Sequence, residues 1–142
     1  MQINFQRLDP MAISPRRANP GDAGLDLASR IDCVIEPGQF LAVPTGIAIA
    51  IPRGYAGLVL PRSGLARRHG LSLVNTPGLI DSGYRGEIEI LLINHGPDRI
   101  SIETGQRIAQ LVIVGVAEAS LQEVPELDPT ERGPAGFGSS GR

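Results

Sequence analysis

The 142-residue chain contains no lysine; all 13 of its basic residues are arginine. A compositional bias of the genome accounts for such a set, yet the chemical consequence is firm. A P-loop lysine, a Schiff-base lysine and a lysine general base are all excluded. Cysteine is almost as scarce, and the lone Cys33 excludes an internal disulfide and any multi-cysteine zinc site. Histidine occurs only at 69 and 95, with no H-E-x-x-H pattern, so zinc hydrolysis through histidine has no ligand set. No apolar run approaches the ~18 residues that a membrane helix needs, and the N-terminus lacks the charged-then-apolar order of a signal peptide. An excess of one charge is missing too. Lys+Arg 13 against Asp+Glu 15 leaves −2, with the charges scattered, which argues against a nucleic-acid-coating surface and against an acidic tail. These absences predict a single-domain, soluble, cytoplasmic protein whose partner is small, neither nucleic acid nor membrane.

Glycine and proline are abundant, at 18 and 12, and they interrupt the chain at short intervals that leave little room for long helices. The segments between them read as strands: 31–35, 40–43 ending at Pro44, 46–51, 55–60 stopped by Pro61, 87–93, 100–102 and 108–114. Many short strands with regular turn signals predict an all-β sandwich or barrel. Residues 63–70 depart from this pattern and predict one short helix, with Ser63 as N-cap and Gly70 as the terminating glycine. Beyond Leu121 the composition turns polar, and 132–142 is Gly/Ser-rich and cannot bury a core, as befits a mobile tail.

Several stretches carry chemistry. Pro61-Arg62-Ser63-Gly64 sets a guanidinium, a hydroxyl and free N–H groups at the expected helix start, which suits an oxyanion as well as it suits an ordinary N-cap beside a solvated arginine. Residues 75–86 read as a hairpin with a polar, glycine-dense tip. There Asp81 is either a general base for a water or an Asx-turn acceptor, and Tyr84 is one of only two tyrosines. Asp26 lies in an apolar, strand-like context, where it is either satisfied by backbone donors or placed against the water shell of Mg²⁺. Gln110 is a polar residue inside a strand. Phe137 stands in the Gly-rich tail, suited to stacking on a planar ring, with Arg132 upstream to reach phosphate.

Taken in order, A-G-L-D-L-A at 23–28, P-R-S-G-L-A at 61–66, G-L-I-D-S-G-Y-R-G-E-I at 78–88, R-I-A-Q-L at 107–111 and R-G-P-A-G-F-G-S-S-G at 132–141 resemble the five motifs of the trimeric dUTP pyrophosphatase (dUTPase) family. The match spans nearly the whole chain. The resemblance implies a distorted jelly-roll fold over 1–124, a tail over 125–142 that closes on the site, and a homotrimer whose active sites are shared between subunits. It implies Mg²⁺-dependent hydrolysis of dUTP to dUMP and pyrophosphate, which keeps uracil out of DNA and supplies dUMP for dTMP synthesis. Carried over by residue, Asp81 would activate the water for in-line attack on the α-phosphorus. Tyr84 would pack under the deoxyribose, and Asn75 with the backbone of Gly78, Leu79 and Ile80 would present a base-pairing edge to uracil. Glu89 would make a further contact. Arg62, Ser63, Gly64 and Gln110 would hold phosphate, and Asp26 would touch metal-bound water, the ion being held mainly by the triphosphate. Arg132, Phe137, Gly138 and Ser139 would serve the closing tail. One departure stands out: Pro134 donates no N–H where the family's tail is often more glycine-rich.

Three other readings fit the sequence less well. The related dCTP deaminases share the fold but fit Tyr84 and Phe137 less well. A nucleotide-sensing protein on the same fold would not need the full set of Asp26, Arg62, Ser63, Asp81 and Arg132. A structural jelly roll would explain the strands without the polar motifs.

Overall fold

The structure is a computed structural model in which residues 1–136 are described. Ten strands and one helix follow in chain order: β1 (Asn4–Arg7), β2 (Leu25–Ala28), β3 (Cys33–Ile35), β4 (Phe40–Ala50), β5 (Tyr55–Pro61), α1 (Ser63–His69), β6 (Leu71–Leu73), β7 (Gly78–Ile80), β8 (Glu87–Asn94), β9 (Ile100–Ile102) and β10 (Arg107–Gly115). They form two open four-stranded sheets, β1-β4-β8-β6 and β2-β10-β5-β7, with β3 and β9 as a separate pair. Every pairing is antiparallel. The architecture is the expected jelly-roll-like all-β fold with one short helix.

Alternation builds the core. Along β8, Ile88, Ile90, Leu92 and Asn94 are buried while Glu89 faces out, as a period of two requires. Ile88, Ile90 and Leu92 join Ile47, Ile49 and Ile51 with Leu27, Val59, Ile80, Ile108 and Leu111 of the second sheet in one cluster. Gly57 on β5 marks close packing in this core. A Cβ there would lie 2.8 Å from Ile51 Cδ1 and 2.9 Å from Leu111 Cδ1, so those side chains would have to shift to admit one.

Several expectations need correction. The strand predicted to stop at Pro44 runs on to Ala50 and absorbs the separate 46–51 strand. Pro44 is tolerated because the β4–β8 register shifts between Pro44 and Ala48, so a bulge falls where the missing N–H would otherwise be needed. Gly46 takes φ +70° in that bulge. The strand expected over 31–35 is β3, three residues at 33–35 rather than five, and β1 and β6 were not anticipated; β1 is exposed throughout, so it has no apolar alternation to read. The segment 75–86 is not a paired hairpin: β7 pairs with β5 of one sheet, whereas β8 pairs with β4 and β6 of the other. Its loop crosses between the sheets.

Candidate active site

Asp26 and Gln110 are placed by register. Gln110 on β10 stands directly opposite Asp26 on β2, and direct cross-strand partners project from the same face. On its other side Gln110 pairs with Leu60, whose strand ends at Pro61 and delivers Arg62, Ser63 and Gly64 to the same rim. The Gln110 amide donates to the Pro61 carbonyl at 2.9 Å. Gly24 closes the other side, where a Cβ would lie 2.3 Å from Gln110 Oε1. The result is a cleft of about 440 Å³ lined by Asp22, Gly24, Asp26, Arg62, Ser63, Gly64, Arg68 and Gln110 among others.

The charges in and around this cleft are organised on Asp26, whose side chain is 12% exposed. Its Oδ1 forms an ion pair with Arg62 Nε at 3.0 Å, and its Oδ2 accepts from Arg107 Nη1 at 2.9 Å. Arg62 Nη1 also donates to the Arg107 carbonyl at 3.2 Å. Charge-assisted pairs of this kind fix guanidinium orientation. One carboxylate thus aligns two cations and leaves the rim net positive, which suits a polyanion.

The helix beside the cleft differs in one detail from expectation. The N-cap is Arg62, with extended φ/ψ and no side-chain cap bond, and Ser63 is the first helical residue. Arg62 carries its side chain to Asp26 instead, and its carbonyl accepts from the N–H groups of Leu65 and Ala66, both at 3.0 Å. Gly70 ends the helix in the left-handed conformation at φ +67°, as anticipated.

A second group of residues gathers elsewhere. Asn75, Gly78, Leu79, Ile80, Tyr84, Glu87 and Glu89 line a cavity of about 280 Å³ together with Val59, Leu73, Ile88 and Leu91. Gly78 holds Asn75 close: a Cβ there would lie 3.3 Å from Asn75 Nδ2. Asp81 is exposed and lines a neighbouring cleft of about 530 Å³ with Ser82, Gly83 and Arg85; Leu79 belongs to both. The cleft around Asp26 shares no lining residue with either. Asp26 and Gly78 sit on the outer strands of one sheet, three strand spacings or roughly 14 Å apart.

Arg132 is exposed and its Nε donates to the Ala135 carbonyl at 3.0 Å, away from both groups. Phe137, Gly138 and Ser139 lie outside the described residues. Two residues in and around the Asp26 cleft carry no expectation from the sequence. Arg107 opens the quoted R-I-A-Q-L stretch but was given no role. Arg68 stands four residues after Gly64 on α1, hence on the same helical face, a spacing that could have disclosed it.

Fold and clefts together define an all-β protein with a cationic, polyanion-sized cleft and a separate cavity walled partly by strand backbone. A dUTPase family model matches residues 11–141. The deoxyuridine 5'-triphosphate nucleotidohydrolase of Gloeobacter violaceus is 52% identical over 143 residues, covering 99% of this chain and 97% of its own. That of Cutibacterium acnes is 56% identical over 128 residues, covering 89% and 84%. Among solved structures, a dUTPase of Staphylococcus bacteriophage 80alpha with dUpNHpp superposes with TM-score 0.92 at 33% identity, covering 99% of both chains. The chain belongs to the dUTPase family, the dUTP diphosphatases.

Proposed function

We propose that this chain hydrolyses dUTP to dUMP and pyrophosphate in a homotrimer whose active sites each combine the Asp26 cleft of one subunit with the Asn75–Glu89 region of another. The observation that carries this is the division of the polar residues into two groups with no shared lining residue. A phosphate cleft alone has no base pocket and no general base; the second group has both but lacks Arg62, Arg68 and Arg107. Joining two copies supplies a whole site.

In such a site Arg62, Ser63, Gly64 and Gln110 bind the phosphates. Asn75 and the backbone of Gly78, Leu79 and Ile80 offer uracil a donor and acceptor pattern that leaves polar groups unpaired against cytosine. Tyr84 lies beneath the sugar, Glu89 adds a contact on the outgoing strand, and Asp81 takes the proton from a water aligned with the α-phosphorus. The new bond joins that water's oxygen to the α-phosphorus, and the bond to the α,β-bridging oxygen breaks to release pyrophosphate. Residues 125–142 act as a tail that brings Arg132, Phe137, Gly138 and Ser139 over the nucleotide and excludes water.

The donor set bears on how a metal ion would be held. Among the described residues no three His, Cys, Asp or Glu side chains are grouped to hold an ion. Asp26 is already committed to two arginines, and Asp22 accepts from the N–H and side-chain amide of Asn19. This fits Mg²⁺ arriving on the triphosphate, with Asp26 meeting its water shell, and not a resident protein cage. Bound there, Mg²⁺ would offset phosphate charge in the transition state. Among the described residues no helix is long and apolar enough to cross a membrane. We place the activity where deoxynucleotides are made, in the cytoplasm, where it would hold dUTP down, keep uracil out of DNA and supply dUMP for dTMP synthesis.

Pyrophosphate release from dUTP, dCTP, dTTP and UTP with Mg²⁺, by the intact chain and by one truncated after Asp128, tests the reading. Release from dUTP alone, lost on truncation, is expected. Release from dCTP would transfer the chain to the deaminase-like reading, and none from any nucleotide would refute catalysis.

A further inference from the structure

Tyr84 is held by a connection that starts on a different strand. Its hydroxyl donates to the Glu87 carbonyl at 2.8 Å. Its phenol end lies close to Gly86, where a Cβ would come within 2.5 Å of the hydroxyl and 2.7 Å of Cζ. The loop is tightened by the Tyr84 N–H, which donates to the Asp81 carbonyl at 3.1 Å. The Glu87 side chain turns the other way, and its Oε1 accepts from the Gly46 N–H at 2.6 Å. Gly46 is the residue at φ +70° in the β4 bulge, and its own carbonyl accepts from the Leu8 N–H at 2.8 Å. Beside it the buried Thr45 hydroxyl donates to the Ile88 carbonyl at 2.7 Å and accepts from the Ile47 N–H at 3.2 Å.

A bulge interrupts the ladder, so the N–H of Gly46 has no ordinary cross-strand partner there and a side chain must take it. Glu87 does so, and this fixes the peptide that accepts from Tyr84. We infer that Glu87 is a positioning residue: by tying the β4 bulge to the start of β8, it sets the height of the Tyr84 ring and thereby the discrimination against a 2′-hydroxyl. The inference rests on the proposed place of Tyr84 beneath the sugar. Glu87 touches no part of the nucleotide in this account; it acts through its backbone carbonyl. A ring free to drop away would admit a ribose, whereas phosphate binding at the Asp26 cleft would be untouched.

The test is the ratio of kcat/KM for dUTP to that for UTP in full-length Glu87→Ala, Glu87→Gln, Tyr84→Phe, Tyr84→Ala and the Glu87→Ala/Tyr84→Phe double variant. Glu87→Ala is expected to lower the ratio about tenfold, the scale of one lost charge-assisted bond. Glu87→Gln, whose amide oxygen still accepts from Gly46, should restore it, and the double variant should be no worse than the poorer single one. Should alanine at 87 prevent folding, Glu87→Asp, one methylene short of the bulge, replaces it. An equal fall on dUTP and UTP with the ratio kept, while Tyr84→Phe or Tyr84→Ala lowers it, would overturn the role of Glu87 alone. A ratio unmoved by Tyr84→Ala would instead remove the place given to Tyr84, and the inference with it.

Discussion

Asp26 and Arg107 face each other at 2.9 Å across the edge of one sheet, and the same carboxylate holds Arg62 at 3.0 Å on its other oxygen. A single acid, nearly buried, therefore sets two guanidiniums before any ligand arrives. Preset cations lose less freedom on binding a polyanion than solvated ones do.

Replacing Asp26 by Asn removes the charge and keeps the shape. Both arginines lose their anchor and the metal-bound water loses its acceptor. We expect kcat/KM for dUTP to fall about 10–100-fold, the range typical of groups that orient a metal site, with a higher Mg²⁺ concentration needed for half-maximal rate. Steady-state kinetics across a Mg²⁺ titration measure both; an unchanged Mg²⁺ requirement would remove the water-shell role.

For Asp81→Asn the expectation separates binding from turnover. The general base is lost while the loop geometry survives, so kcat should fall about 10²–10⁴-fold. The Kd for a non-hydrolysable dUTP analogue, read by calorimetry, should stay close to that of the parent. Equal losses in both would contradict the assignment.

Acid stability should follow two carboxylates remote from the clefts. Asp9 is held below the ordinary 3.8 by Arg30, which donates to it, and then by the Met11 N–H. Asp32 is lowered by the Thr104 N–H, which donates to it at 2.6 Å. Because the folded-state values are depressed, their contribution is present above pH 3.8 and is lost as pH falls through the folded values. Asp9→Asn/Asp32→Asn should therefore flatten the fall in Tm below about pH 4, relative to the parent, with little change in its slope from pH 6 to 8.

Asn94 is fully buried at the end of β8, and its amide donates to the Ile35 carbonyl at 2.9 Å and the Asp98 carbonyl at 2.8 Å while accepting from the Gly96 N–H at 2.8 Å. Asn94→Ala would leave the buried Ile35 carbonyl and the part-buried Gly96 N–H and Asp98 carbonyl without their side-chain partner. Denaturant unfolding should show a loss of about 2–4 kcal/mol, larger than for Ser101→Ala on the exposed side of β9.

Much of this architecture was legible beforehand, for identifiable reasons. β5, β8, β9 and β10 carry apolar patterns bounded by Pro or Gly, and their ends were placed within one residue or so. The strand through Pro44 was not legible, because a bulge is a cross-strand event that one strand's sequence does not display. The role of Ser63 was misread because Arg62, drawn to Asp26 across the sheet, took the N-cap position. Likewise the Asp26–Gln110 pairing depends on register between residues 84 positions apart, and the Glu87–Gly46 bond on two strands meeting at an irregularity. Motif order revealed the residues; only the fold shows which of them share a cleft.

The most direct measurement pairs two dead variants. Arg62→Ala lacks the phosphate arm and Asp81→Asn lacks the base, and each alone should be nearly inactive. Unfolded together in equal amounts and refolded, they should regain dUTP hydrolysis, since a site taking Arg62 from one subunit and Asp81 from its neighbour is intact in part of the mixed trimers. Random assembly into a cyclic trimer makes about one quarter of the sites whole. Recovery near that fraction of parental activity is the predicted result, whereas a mixture no more active than its separate components would show that the two groups of residues do not meet across subunits.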